Sequence, residues 1–191
     1  MGGVRPALLV VLLVILAGCG PLDATQAGGD QATPVPLLTV LPSPGELRGA
    51  PARTADADAL AQAFTGADDP VLARRIRDRA PVAAGVREWS NPTGGTMTAA
   101  VTVWGSHLTA TGVGSDLATL LVDDAGAAAW TPDDVPGSRG ARVDDPARRE
   151  LRLAYSVGPN SLYVRSTGSV PEATVVKTVK RLIQALQGET G

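Results

Sequence analysis

The chain has 191 residues, 44% of them hydrophobic, and a mean hydropathy of +0.09, which suits one folded domain with appendages. Seventeen Lys and Arg stand against nineteen Asp and Glu, a formal charge of −2, so no strongly basic surface is expected to track a nucleic-acid backbone. One Cys excludes an intrachain disulfide and a multi-cysteine metal centre, one His excludes a multi-histidine centre, and 3% aromatics argues against an aromatic-lined carbohydrate site. No metal and no cofactor is expected.

Residues 1–18 read as a leader. Arg5 precedes eleven uninterrupted apolar residues, Ala7 to Ala17. As a helix that run spans roughly 16 Å, about half the hydrocarbon core of a bilayer, which is short for a membrane span and suited to the h-region of a secretory signal. Leu16-Ala17-Gly18-Cys19 ends it with an apolar residue, two small residues and a cysteine. The tetrapeptide resembles the lipobox of bacterial lipoprotein precursors. That resemblance implies cleavage between Gly18 and Cys19 and a diacylglyceryl group on the Cys19 thiol. It also implies a mature protein held by its lipid at the extracytoplasmic face of the cell membrane. Acyl chains contribute roughly 0.8 kcal/mol per buried CH₂, so two chains give stable anchoring. The richness in Ala, Gly, Val and Arg, with only two Lys, makes the whole similar to small lipoproteins of high-GC Gram-positive bacteria.

Residues 19–53 contain Pro34-Val35-Pro36 and Pro42-Ser43-Pro44 and read as a Pro- and Gly-rich tether. An edge strand over Val35–Leu41 is the alternative. The folded domain is expected over residues 54–188. Ala55–Phe64 is Ala-rich and helical in pattern, with Gly66 as its stop. Asp68 or Asp69 is placed to cap a second helix over Pro70–Arg79, whose Arg74, Arg75, Arg77 and Arg79 form a solvated basic face.

From Pro81 the period changes to two. Val82–Ser90 and Thr96–Trp104 flank Asn91-Pro92-Thr93-Gly94-Gly95, which has hairpin-loop chemistry. Strands are expected over His107–Thr111, Leu117–Val122 and Ala127–Trp130, the last two forming a hairpin about Asp123–Gly126. A helix over 116–122 capped by Ser115 remains open beside that reading. Asp133–Asp145 reads as a loop. Glu150–Val157 places Leu151, Leu153, Tyr155 and Val157 on one face, turns at Gly158-Pro159-Asn160-Ser161 and returns as Leu162–Ser166. A last helix begins at Pro171, carries a stripe of Val175, Val176, Val179, Leu182, Ile183 and Leu186, and closes at Gly188. The class is α+β: an antiparallel sheet of about five to six strands, with N-terminal helices and a C-terminal amphipathic helix packed on it.

Catalytic motifs are sparse. His107 is the lone imidazole, and a Ser–His hydrolase would need a nucleophile within hydrogen-bond reach of it. Ser106 is its neighbour, and Ser115 lies in Gly-Val-Gly-Ser-Asp rather than Gly-x-Ser-x-Gly. The Asp pairs 68–69, 123–124, 133–134 and 144–145 suit turn capping better than a calcium loop. Gly112–Gly114 lacks the lysine of a phosphate-binding loop. Trp89, Trp104 and Trp130 are core residues or, in the sharper reading, a ligand or interaction surface. The expected function is a membrane-anchored envelope lipoprotein with a non-catalytic binding or protein-interaction domain, its partner an envelope protein or apolar ligand. The alternatives are a carrier holding an apolar ligand between sheet and C-terminal helix, and a surface hydrolase using His107.

Overall fold

Capping chemistry sets the first helices. The computed structural model describes residues 41, 47–122 and 126–188, with backbone alone for 114, 115 and 117–122. Helix α1, Ala57–Thr65, starts where the Asp56 carboxylate accepts from Ala59 N and stops at Gly66, left-handed at φ 79°. Helix α2, Pro70–Asp78, takes Asp69 as its cap, with Leu72 N donating to Oδ1 at 2.9 Å, and Pro70 in the first turn, where a missing N–H costs nothing.

The strands are β1 Arg48–Gly49, β2 Arg53–Thr54, β3 Ala83–Ser90, β4 Thr96–Val103, β5 Ala128–Trp130, β6 Arg139–Asp145, β7 Arg148–Val157 and β8 Asn160–Thr167. They make one antiparallel sheet in the order β1-β3-β4-β8-β7-β6-β5, with β2 also on β3. Period-two alternation sorts side chains between two cores. Met97, Ala99 and Val101 of β4 join Leu151 and Leu153 of β7 under α4, Glu172–Gln187. Ala100 and Trp104 join Tyr163 and Ala154 under α1, α2 and α3, where α3 spans His107–Val122. The α+β class and the C-terminal helix stand as expected, with eight strands rather than five to six. From the α4 stripe, Val175, Val179, Leu182 and Leu186 are buried, and Gly188 closes the helix at φ 75°. Pro171 sits one position earlier than expected, as the N-cap.

Three expectations about the middle of the chain need correction. Residues 107–122 form a helix, not two strands; the alternative helix over 116–122 falls within it, but the helix begins nine residues earlier, so Ser115 is an interior residue rather than the cap. Ser106 starts it, accepting from Thr109 N through Oγ at 3.1 Å and from Ala110 N through its carbonyl. Ala110 and Val113 then bury against the sheet. Ala128–Trp130 therefore pairs with Gly140–Arg142, not with 117–122. The stretch 133–145 is irregular only to Ser138, because Arg139–Asp145 pairs residue for residue with Arg148–Ala154 of β7.

The domain also begins before Thr54. Leu41 and Leu47 are 0% and 5% exposed and pack with Trp89 and Met97, and β1 pairs with Trp89 and Ser90. A Cβ on Gly49 would lie 2.1 Å from the Glu88 carbonyl oxygen, so only glycine lets β1 approach β3 this closely. The tether reading fails for Leu41 and Leu47–Arg53; its remainder, including Val35–Val40, lies outside the described residues.

Candidate functional site

Gly18 and Cys19 lie outside the described residues. The three tryptophans are not brought together. Trp89 is 2% exposed beneath Leu41 and Leu47 on the α4 side. Its Nε1 is buried without a hydrogen-bond partner among the described residues, which costs about 1–3 kcal/mol. Trp104 is buried on the opposite face, where its Nε1 donates to Ser161 Oγ at 2.9 Å. Trp130 is half-buried on β5, with the Arg142 guanidinium 5.4 Å from its ring centroid.

His107 is the exposed first residue of α3, and its Nδ1 lies 2.8 Å from the Gly158 carbonyl oxygen. A carbonyl only accepts, so this contact puts the proton of the neutral ring on Nδ1 and leaves Nε2 as the base. The groove beside it, about 350 Å³, is lined by Thr111, Arg139, Tyr155 and Ser156. Ser156 Oγ donates to the Ala110 carbonyl at 3.3 Å, and Ser106 Oγ caps α3, so neither hydroxyl is held against the imidazole. The side chain of Ser115 is outside those described. Between α4 and the sheet, where an apolar ligand would lie, Val175, Val179, Leu182 and Leu186 meet Leu151, Leu153, Leu162 and Val164, none more than 6% exposed.

The Asp pairs serve local structure where they are described. Asp69 caps α2, Asp134 lies 3.8 Å from Lys180, and Asp145 accepts from Ala147 N at 2.8 Å. Among the described residues no group of His, Cys, Asp and Glu is placed to hold a metal ion. On α2, Arg77 lies 3.6 Å from Asp58 and Arg79 pairs with Asp116, whereas Arg74 and Arg75 face solvent.

A polar cluster that the sequence reading passed over occupies the α1 side of the sheet. Register sets Glu88, Thr98, Arg165 and Arg152 in one row across β3, β4, β8 and β7. Two arginines directly opposite each other repel, and Glu150 resolves the conflict. At 2% exposure its Oε1 accepts from Arg152 Nε at 2.6 Å and from Arg165 Nε, while Oε2 lies 3.5 Å from Arg148. Burial pushes the Glu150 carboxyl up, but the hydrogen bonds and charges of Arg152 and Arg165 outweigh it and hold the group below its usual 4.5.

Strand β8 also serves the C-terminus of α1, whose last carbonyls have no partner within the helix. Tyr163 Oη donates to the Phe64 carbonyl at 2.6 Å, and its ring meets Phe64 edge-on at 4.5 Å. Two residues on, the Arg165 guanidinium lies against Gly66, 2.2 Å from where a Cβ would stand. Gly66 is thus required twice, by its positive φ and by this contact. The negative end of the helix dipole faces the guanidinium. Arg165 is 21% exposed and lines two grooves, one of about 630 Å³ with Arg48, Arg53, Glu88 and Thr98, and one of about 450 Å³ with Arg148, Arg149 and Glu150. The signal for the cluster was available: a two-residue turn at Gly158-Pro159 fixes Arg152 opposite Arg165, and such a pair demands an acid nearby.

No helix among the described residues is long and apolar enough to cross a membrane. No protein-family model matches the chain, and no curated protein matches it. Its fold is similar to a solved structure, the extracellular domain of PknH from Mycobacterium tuberculosis, with a TM-score of 0.55 over 87% of this chain and 92% of that one. The two are 10% identical in sequence, so the likeness is one of fold.

Proposed function

We propose that the chain is an envelope lipoprotein, anchored through an acylated Cys19 at the extracytoplasmic face of the cell membrane, whose α+β domain is a non-catalytic binding or protein-interaction module. The observation that carries the anchoring is the coincidence of Arg5, the apolar run Ala7–Ala17 and Leu16-Ala17-Gly18-Cys19 at the spacing of a lipoprotein leader. The fold likeness to an extracellular domain supports the location. Binding rather than chemistry is supported by open, polar grooves lined by charged side chains and by a His107 whose serine neighbours are engaged elsewhere. The partner touches the domain, and the lipid keeps the domain at the membrane.

The test is metabolic labelling with a clickable fatty acid in a bacterium that processes lipoproteins. The wild-type chain should be labelled and its mature N-terminus should map to Cys19. Cys19→Ala should lose the label and stay unprocessed or be released. Undiminished labelling of the variant would overturn the anchoring.

A further inference from the structure

The fold uses Arg148, Arg152 and one edge of Arg165 to neutralise Glu150, but it leaves other arginines of the two grooves with little to do. Among the described residues Arg48 and Arg149 make no ion pair, and Arg53 reaches Glu88 only at 3.6 Å with both side chains more than half exposed. A pair that open contributes little. The two grooves that meet at Arg165 are lined by five arginines against two glutamates, in a chain whose formal charge is −2. Gathering like charge in this way costs self-repulsion that an anion would relieve.

Arg165 is the prepared element. Its Nε is fixed on Glu150 and its plane is held against Gly66, so the two Nη groups are oriented before any ligand arrives. Thr98, directly across the sheet from it, presents a hydroxyl on the same face. The geometry points to a phosphate-bearing ligand in this groove, with Arg165 as the bidentate fork, Arg48 and Arg53 as flanking charges and Thr98 as a neutral donor. A tetrahedral phosphate offers acceptor oxygens to guanidinium groups from several directions, whereas a carboxylate offers two oxygens in one plane. The inference rests on the reading of the domain as a binding module and gives that module its ligand chemistry; it does not use the lipid anchor. The phosphate belongs either to a small soluble anion or to a phospholipid headgroup.

The experiment is isothermal titration of the full chain in detergent, at constant ionic strength, with inorganic phosphate and with glycerophosphoglycerol, the deacylated headgroup of phosphatidylglycerol. Saturable binding of either supports the site; tighter binding of phosphate identifies the soluble anion, and tighter binding of the phosphodiester identifies the headgroup. Replacing Arg48 and Arg53 together by Ala should weaken binding by about tenfold or more, because two charge-assisted contacts are lost. Removing the same charge from α2, with Arg74→Ala and Arg75→Ala, should leave affinity within about twofold at this screening. Arg165→Lys keeps the charge and loses the fork, and should also weaken binding; if it does not fold, the Arg48 and Arg53 variant decides alone, since both side chains are exposed. Absence of saturable binding to both probes, or equal loss in the groove and α2 variants, would overturn the site. Acyl labelling at Cys19 is indifferent to these substitutions, so failure of the groove and failure of the anchored reading are separately visible.

Discussion

On the α4 side of the sheet, Met97, Leu151, Leu153, Leu162 and Val164 meet Val175, Val179, Leu182 and Leu186, all 6% exposed or less. On the α1–α3 side the same strands present Ala100, Ala154, Ser161, Tyr163, Glu150, Arg152 and Arg165. The first face is held by volume. Each fully buried Leu or Val there contributes about 1.5–3 kcal/mol, and a branched aliphatic of similar size would serve at most positions. The second face uses small side chains so that three helices approach, and it aims each polar group at a named partner. Ser161 accepts from Trp104 and donates to the Ala110 carbonyl, Tyr163 holds Phe64, and Glu150 holds two arginines. Hydrogen bonds of this kind are directional, so they fix where a helix end or a guanidinium sits. A pre-positioned charged group is what recognition requires, and it is found on the face whose packing is polar.

That contrast is breakable first at Glu150. Glu150→Ala strands the buried Arg152 beside the partly buried Arg165 and should cost about 3–5 kcal/mol by urea unfolding. A cost below about 1 kcal/mol would show that the arginines reach solvent without it, and the two faces would no longer differ in kind. The pH dependence has a definite sign. With the folded carboxyl held below 4.5, the unfolded chain takes up the proton first as pH falls, so the contribution of Glu150 is full above 4.5 and is lost progressively beneath it. Wild type should therefore lose more stability than Glu150→Ala between about pH 6 and about pH 3. Parallel profiles for the two proteins would remove the claim.

On the aliphatic face, Leu182 is fully buried at the centre of α4, and Leu182→Ala should cost about 2–5 kcal/mol through lost transfer energy and an unfilled cavity. Leu182→Met keeps the volume and should cost under about 1.5 kcal/mol, which distinguishes packing by volume from a specific contact. A smaller loss than that of Leu182→Ala is expected at Tyr163. Tyr163→Phe preserves the ring against Phe64 but leaves the Phe64 carbonyl without its donor, for about 1–3 kcal/mol in chemical denaturation. Burial also pushes the Tyr163 phenol above its usual 10.0. Wild type should thus lose stability as pH rises past 10.0, where the unfolded chain ionises first, and the Phe variant should lack that component.

Local chemistry made several elements legible. Asp69-Pro70 begins α2 and Gly66 ends α1 because cap and φ preferences act within a few residues. The Asn91–Gly95 loop was readable for the same reason, with Gly95 N donating to Asn91 Oδ1 at 2.6 Å. Helix α3 was not. Its two glycines, Gly112 and Gly114, and its threonines Thr109, Thr111 and Thr119 each disfavour a helix, and no clear apolar stripe runs along it. It forms because the sheet end under Ala110 and Val113 is otherwise bare. Strand β6 was hidden similarly: Asp144, Asp145 and Gly140 read as turn residues until β7 supplies a ladder for them. Leu41 and Leu47 looked like tether because proline spacing says nothing about which apolar residue finds a cavity beside Trp89.

The α+β class, the hairpin from Glu150 to Ser166, the amphipathic last helix and the leader-like run ending at Cys19 are legible along the chain, since each is written in period, turn chemistry or contiguous hydrophobicity. Tertiary packing was needed to bring the Glu150 carboxylate between Arg152 and Arg165, to set Thr98 across from Arg165, and to place Arg48 and Arg53 on the border of the same groove. Those residues are up to 117 positions apart, from Arg48 to Arg165, and belong to five different strands. Period reports which side of a strand a residue faces, but register between distant strands is set by the packing of the whole sheet. Charge at a surface is built by that register, so it cannot be read one segment at a time.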